Sequence, residues 1–454
     1  MQVTRAIAEF ACNVTFGRLR PSVVTKTRQL MLDCLGNQIG ACGEESAQIL
    51  YDVLAVALVR GRCTVVGYGS KTAPLLAGCM NGMLAHLLDM DDAHRDSLTK
   101  TGSAITPAAM AIAEARGCDG KSVIEAVVAG YEVMIRLGLA VNPGHRRRGF
   151  HSTATLGAFG AAVAAGRLLG LNEDRMVDAL GIAGTQAAGL AAFINNAAMI
   201  KPFNVAKGVY NGILSALLAE KGFRGAPDVI EGREGFIRGY TGRADLGRIV
   251  KDIGDRYHLL ESGFKPHAAC RYAHGPIDAA VGLRRTHEFE VEEIESIDVY
   301  LSALANRQSN FHEPQSISSA QGSTPFAIAA SLVCSTDSLS VPDMKRAFND
   351  ARTWELHRRV RLHADRAMDY MGRGCTVRIL LRSGKSYELS VELPRGEPEN
   401  PLPDFEIEQK FMRQAAAVIG KREADSIRDL MNKIETLPTM SQLMNHVSVS
   451  ARVA

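Results

Sequence analysis

Asp89, Asp91 and Asp92 crowd three carboxylates into four residues where an apolar helical stripe runs out. At a helix C-terminus each opposes the macrodipole by about 0.3–1 kcal/mol, so something beyond the helix must favour them. They could cap the segment that follows, or hold magnesium for a diphosphate substrate on a helical scaffold. The magnesium reading lacks support: no second motif of Asn/Asp, Ser/Thr and Glu is found, and 6% aromatic residues with one Trp are thin for a carbocation pocket. Further on, Arg146, Arg147 and Arg148 lie between His145 and His151. Guanidinium grips a carboxylate bidentately and imidazole titrates near neutrality, which suits an anionic ligand; a solvated basic loop after Pro143-Gly144 is the plainer alternative. Lys201 follows the uncharged run 179–200 and precedes Pro202. Such a lysine pairs with an acid, binds an anion, or carries its charge outward at a helix end, because an unpaired ammonium in a core costs several kcal/mol. Cys270-Arg271-Tyr272-Ala273-His274 supplies one more arginine and histidine, and a lone histidine there reads first as structural.

Helices must position most of these groups. In 74–88 the apolar residues Leu75, Leu76, Cys79, Met80, Met83, Leu84, Leu87 and Leu88 make a 3.6-residue stripe, with Pro74 in the first turn. Asp119 precedes a second such run through Val123, Ile124, Val127, Val128, Tyr131 and Ile135. The stretches 153–171 and 176–200 are so rich in Ala and Gly that neighbouring backbones must approach closely. The run 179–200 reads as a buried small-residue helix and not as a membrane span, since it is built from Ala, Gly and amides such as Gln186, Asn195 and Asn196. Val65-Val66-Gly67-Tyr68-Gly69-Ser70 fails as a dinucleotide fingerprint, because Thr72 holds the third glycine position and no βαβ repeat follows.

After Pro266 the texture changes to alternation: Ile297, Val299 and Leu301; then Val360 and Leu362; then TVRILLR and YELSVEL flanking Ser383-Gly384, which predicts an antiparallel hairpin. Helices are expected over 325–334 and 342–349. The resulting division is a helical domain of 1–265 and 404–454, an α+β domain of 266–395, and a proline-rich linker of 396–403. No internal repeat or low-complexity tract interrupts it.

A chain of 454 residues at 46% hydrophobic can bury a real core, which excludes disorder. Fifty-two basic against 49 acidic residues give a formal charge of +3, no global field for nucleic acid. Nine scattered cysteines without a CxxC argue against a disulfide framework or zinc site, and with an N-terminus that lacks a signal-like apolar core they suggest a cytoplasmic protein.

The ordered segments TVVGYGSKTAPLLAGCMNGMLAHLLDMDD, GFHSTATLGAFGAA, KPFNVAKGVYNG, CRYAHGPIDAA and PRGEPENPLPDFEIEQKF resemble the MmgE/PrpD family over essentially the whole chain. That family includes 2-methylcitrate dehydratase, cis-aconitate decarboxylase and iminodisuccinate epimerase. The resemblance implies a mainly α fold: a large helical domain formed by both chain ends, a smaller α+β lid domain with an antiparallel sheet, and an active site in the cleft between them. It also implies a homodimer, a small carboxylate substrate, and no metal or organic cofactor. Carried over by position, the catalytic candidates are Asp89, His151, Lys201 and His274: His151 as principal acid/base, Lys201 as carboxylate and charge anchor, His274 as second proton carrier, and Asp89 orienting an imidazole. Arg146, Arg148, Thr99, Asn204, Arg271 and Phe326 are the substrate-binding candidates.

Four positions depart from the family pattern. Thr99 stands at a histidine position, Ala93 at a Thr/Ser position, Asn204 at a histidine position and Phe326 at a tyrosine position. The expected activity is therefore a cofactor-independent lyase or isomerase that abstracts a proton alpha to a carboxylate or carbonyl, first of all a hydro-lyase on a hydroxylated di- or tricarboxylate. Decarboxylation or epimerisation by the same cleft is the alternative within enzymes, and a non-catalytic binding homologue is the alternative outside them.

Overall fold

The protein is described by a computed structural model for residues 2–56, 60–195, 198–369 and 372–448, except for the side chains of 194 and 195. It is mainly α, with 21 α-helices among the described residues. None of them is long and apolar enough to cross a membrane. The chain divides into two units: the first takes in residues up to Ile194, Ala198–Gly263 and the chain from Pro403, and the second is built from Phe264–Leu402.

In the first unit the helix Ser152–Leu168 packs between Gly120–Val141 and Ile200–Glu220, with Pro74–Leu87 and Gly102–Arg116 completing the core. Glycine makes the closest approach possible. A Cβ on Gly208 would stand 2.7 Å from the Ala154 carbonyl oxygen, and one on Gly212 would stand 2.5 Å from Ala161 Cβ. These positions, one helical turn apart, let two backbones meet over an alanine face. Local signals set the boundaries: Pro74 opens its helix, and the Asp119 side chain accepts the Ser122 amide at the start of Gly120–Val141.

The helix Asp404–Ile419 lies against Pro21–Gly40. There Lys410 Nζ stands 2.5 Å from Asp33 Oδ1 and donates to the Met90 carbonyl at 2.6 Å, all of it buried. Gln414 Nε2 donates to Asn37 Oδ1 at 2.8 Å. Removing one member of such a buried pair typically costs about 3–5 kcal/mol.

The expected helix over 179–200 is not continuous. The helix Glu173–Thr185 ends, a single 3-10 turn occupies Ala192–Asn195, and a new helix starts at Ile200; residues 196 and 197 lie outside the described chain. Hydrogen bonds explain the break. Residues 149–151 take over as partners, with His151 N–H donating to Gly189 O at 2.9 Å and Ala191 N–H donating to Gly149 O at 2.8 Å. Gly189 sits at φ +128, a conformation that an L residue in its place would resist.

The second unit carries a four-stranded sheet in the order Val360–Ala364, Ile294–Leu301, Cys375–Leu381, Ser386–Val391. The hairpin about Ser383-Gly384 is antiparallel with Val377 opposite Leu389, and Gly384 is at φ +82. The pairing of Ile297 with Val360 is parallel, so the sheet is mixed, a distinction that alternation alone does not encode. The helix His274–His287 packs on the hairpin strands, while Thr324–Val333 and Val341–Phe348 pack together. Residues 396–403, read from their prolines as a linker, are not loose: Phe264 N–H donates to Gly396 O at 2.8 Å, Glu397 is buried, and 396–402 belong to the second unit.

Candidate active site

The acidic turn distributes its three carboxylates to three different partners. Asp89 ends the Pro74–Leu87 helix in the left-handed region (φ +53), which aspartate tolerates better than most residues, and its Oδ1 lies 2.9 Å from Lys201 Nζ. Asp91 Oδ2 is 2.6 Å from Nδ1 of His86, which lies on the last turn of the same helix. Asp92 Oδ1 accepts the Gly102 amide at 2.9 Å, at the N-terminus of the helix Gly102–Arg116. The partners that outweigh the unfavourable dipole are thus an ammonium, an imidazole and the positive end of the next helix.

Electrostatics separates the two buried carboxyls. Burial alone would raise Asp91, but the His86 ring beside it wins and holds it at about 2. Asp92, buried without a cationic partner of that kind, is pushed up to about 7 by desolvation and then by Asp91 and Asp33. Asp91 is therefore ionised across the neutral range, whereas Asp92 keeps its proton up to about pH 7.

His151 caps the Ser152–Leu168 helix, with its ring centroid 5.5 Å from that of His86 and 5.0 Å from Phe193. Burial pushes it well below the ordinary imidazole range, and His86, Lys201 and Arg146 push the same way against Asp91. Its Nδ1 makes no hydrogen bond, and neither does Nε2 of His86. Lys201 comes from the first turn of Ile200–Glu220, and Asn204 on the same helix donates to Leu190 O at 3.0 Å, pinning the segment that pairs with 149–151. Asp89, Lys201, His151, His86 and Asp91 thus gather in one place in the first unit.

The remaining candidates are used differently. Thr99 is buried, its hydroxyl 2.6 Å from Ser97 Oγ and 3.0 Å from Thr101 Oγ1, so hydroxyls fill the position where the family has histidine. Arg146 is half-buried and Arg148 exposed, while His145 between Gly144 and Arg146 is a core residue stacked on Phe150 and pushed down to about 4, chiefly by burial. In the second unit Arg271 is tied by Nε to Glu397 Oε1 at 2.8 Å and by Nη1 to Phe264 O at 3.0 Å. His274 has both nitrogens committed, Nε2 at 3.2 Å from Ala269 O and Nδ1 at 3.4 Å from Arg271 Nη1; burial and then Arg271 push it well below its usual range. Phe326, offered above as a substrate contact, is a core ring, wholly buried against Phe348, Trp354 and His357. An apolar ring in an aromatic cluster has no polar edge to offer a substrate.

One cluster outside this group has metal-like composition. The ligating atoms of His94, His258 and Glu261 lie within 4.8 Å of one another. Proton bookkeeping argues against a cation there: His94 Nδ1 accepts the Ser97 amide at 3.2 Å, which places a ring proton on Nε2, 3.5 Å from Glu261 Oε2. His258 Nδ1 reaches the same oxygen at 3.2 Å, and Arg256 grips Oε1 at 2.6 Å. Arg256 and His258 bond this carboxylate, with the His94 ring beside it, and together they hold it well below the usual range in spite of its partial burial. It is a clamp that ties the strand Ala93–His94 to its antiparallel partner Ser262–Gly263.

Compared with known proteins, residues 5–248 match the model of the MmgE/PrpD N-terminal domain and residues 267–436 that of the MmgE/PrpD C-terminal domain. The chain belongs to the MmgE/PrpD family. Among its MmgE/PrpD relatives, the cis-aconitate decarboxylase of Aspergillus terreus is 29% identical over 97% of this chain and 95% of its own. The cis-aconitate decarboxylase-like protein oryM of Aspergillus oryzae is 27% identical over 98% and 97%, and the cis-aconitate decarboxylase of Homo sapiens 24% over 97% and 93%. These relatives carry the names of lyases, and the chain matches them nearly end to end. Against that background, two members of this MmgE/PrpD site were missed by sequence reasoning. His86 lies inside an apolar stripe, where a lone histidine reads as a satisfied core residue, and its spacing of five from Asp91 across a helix end was the one signal available. Asp91 was indistinguishable from Asp89 by type, and the imidazole partner expected for Asp89 belongs to Asp91.

Proposed function

We propose that this protein is a lyase acting on a small di- or tricarboxylate, with His151 taking a proton from the carbon beside a carboxylate that Lys201 holds. The observation that carries the reading is a buried imidazole kept neutral beside an ion-paired lysine. A neutral imidazole is ready to accept a proton, and general base catalysis of this kind contributes about 10²–10⁴-fold. The electron pair left behind spreads onto the adjacent carboxylate as enolate-like charge, which an ammonium in a partly desolvated site stabilises. Lys201, already held by Asp89, presents the ammonium that a substrate carboxylate can share. No step requires a metal or organic cofactor.

Elimination of water from a hydroxylated di- or tricarboxylate is the first reading, because it begins with proton abstraction, His151 is poised as a base, and the neighbouring hydroxyl leaves as water with the proton that His151 took, which restores the base. Decarboxylation is the second, favoured by the names of the relatives; there the carbanion left by carbon dioxide needs an acid, a role for which an imidazole depressed so far is less suited. Incubation in deuterated water with cis-aconitate and a panel of hydroxylated di- and tricarboxylates, followed by proton NMR, tests both. Deuterium at a carbon beside a carboxylate, with formation of a double bond and no loss of carbon dioxide, is the expected result. Carbon dioxide release selects decarboxylation, and no exchange with any carboxylate removes the reading altogether.

A further inference from the structure

The chemistry assigned to His151 leaves a proton to be placed. The nitrogen that receives the substrate proton belongs to a ring whose burial disfavours positive charge, so an efficient base here needs somewhere for that charge to go. Two buried ring nitrogens here, His151 Nδ1 and His86 Nε2, make no hydrogen bond among the described residues, and their rings have centroids 5.5 Å apart with a 30° tilt between planes. Imidazoles joined edge to edge through nitrogens at about 2.9–3.2 Å stand at roughly this centroid separation. The freedom to close the contact belongs to His151, because Asp91 fixes His86 at 2.6 Å through Nδ1 and the χ2 torsion of a histidine is soft. When His86 carries a single proton and gives it to Asp91 from Nδ1, its Nε2 is a lone pair and can only accept.

We infer that His86 and Asp91 form a proton relay behind His151, resting on the function proposed above: His86 Nε2 receives the Nδ1 proton of His151 as the ring's other nitrogen takes the proton from the substrate carbon. The balance is complete. The C–H bond breaks and its electron pair remains on the substrate; one N–H bond forms on His151 while its Nδ1–H bond breaks, and a new N–H bond forms on His86. The positive charge comes to rest on an imidazole in direct contact with the Asp91 carboxylate, and not on His151 beside Lys201 and Arg146. His86 is a positioning residue, acting on substrate only through His151. The charged and titratable groups acting on His151 are His86, Lys201, Arg146 and Asp91, and those acting on Asp91 are His86, Lys100 and Asp89.

Nitrogen-15 NMR of histidine-labelled protein, with the two rings assigned through His151→Asn and His86→Gln, tests the relay without substrate. In the unmodified protein the signals of His151 and His86 should move together in shared macroscopic steps, and His86→Gln should reduce His151 to a single step. In turnover, His86→Gln should lower kcat by about 10²-fold or more. The acidic limb of kcat/KM should move up in pH in His86→Gln, since a repelling ring is gone, and down in Asp91→Asn, since an attracting carboxylate is gone. A purely structural role would not give opposite shifts. Independent titration of the two histidines overturns the relay even if a buried variant fails to fold, because the measurement on the unmodified protein suffices. Coupled titration in a protein that exchanges no carboxylate would keep the relay and discard the function proposed above.

Discussion

Each unit contains an aspartate behind a pair of histidines. In the first, Asp91 holds His86 at 2.6 Å and the His151 ring follows at 5.5 Å. In the second, Asp278 holds His267 at 3.0 Å and the His274 ring follows at 5.0 Å. Both outer rings are pushed far below the ordinary imidazole range by burial. They differ in how the nitrogens are spent. His267 Nδ1 takes the Leu339 amide, and His274 is bound at both nitrogens, whereas Nε2 of His86 and Nδ1 of His151 are open among the described residues. A saturated network rigidifies the chain around it, while an open one keeps the capacity to exchange a proton, at the expense of leaving desolvated polar atoms unpaired. A depressed pKa therefore does not by itself mark a proton carrier; unspent hydrogen-bonding capacity is the sharper sign.

The contrast is most exposed to His151→Asn. This variant should keep the fold while lowering kcat by about 10²–10⁴-fold, read by steady-state kinetics alongside thermal unfolding. Lys201→Met should retain the packing of the alkyl stem and lose the charge, raising KM about 10–100-fold, as expected when a charge-assisted hydrogen bond worth about 1.5–3 kcal/mol disappears. A silent methionine would mean that the stem merely packs. His274→Asn should show the opposite balance, a stability loss of about 1–3 kcal/mol by denaturant titration with less effect on kcat than His151→Asn; equal losses of kcat would erase the distinction between the two pairs.

Acidification gives a gentler test. For His151 and His274 the folded pKa lies below the unfolded value of about 6.5, so between those values the unfolded chain binds protons that the native state refuses. Stability should fall as pH drops from about 6.5, and each Asn variant should remove its own share of that slope. Asp92 has the reverse sign. Its carboxyl, raised to about 7, binds a proton more tightly when folded, so the fold loses up to about 1.4 kcal/mol per pH unit between about 4 and 7, and Asp92→Asn should flatten that segment of the profile.

The sequence was most legible where a period or a turn decides the geometry. The stripe from Leu75 to Leu88 became the helix Pro74–Leu87, and Ser383-Gly384 became a hairpin with Gly384 at positive φ. It was least legible where partners come from far along the chain. Nothing near Gly189 announces that its carbonyl will accept the His151 amide and end the small-residue helix, and nothing near Val360 says that its strand will run parallel to Ile294–Leu301. Within the site, residue type nominated His151, Lys201 and the acidic turn, but the allocation of Asp89 to lysine and Asp91 to histidine depends on where the Ile200–Glu220 helix begins. The short helices Ala303–Ser309, Ile317–Gly322 and Ala351–His357 carry too few turns for a periodicity to register.

The buried contact between the helices Pro21–Gly40 and Asp404–Ile419 sets a clock on biosynthesis. Asn37 and Gln414 are 377 residues apart, and at about 5–20 residues per second a ribosome needs roughly 20–75 s to supply the second after the first. Throughout that interval Asp33 has no Lys410 to pair with. The stretch Phe264–Leu402 of the second unit is synthesised before that lysine. Elongation speed therefore sets how long Asp33 waits for its lysine.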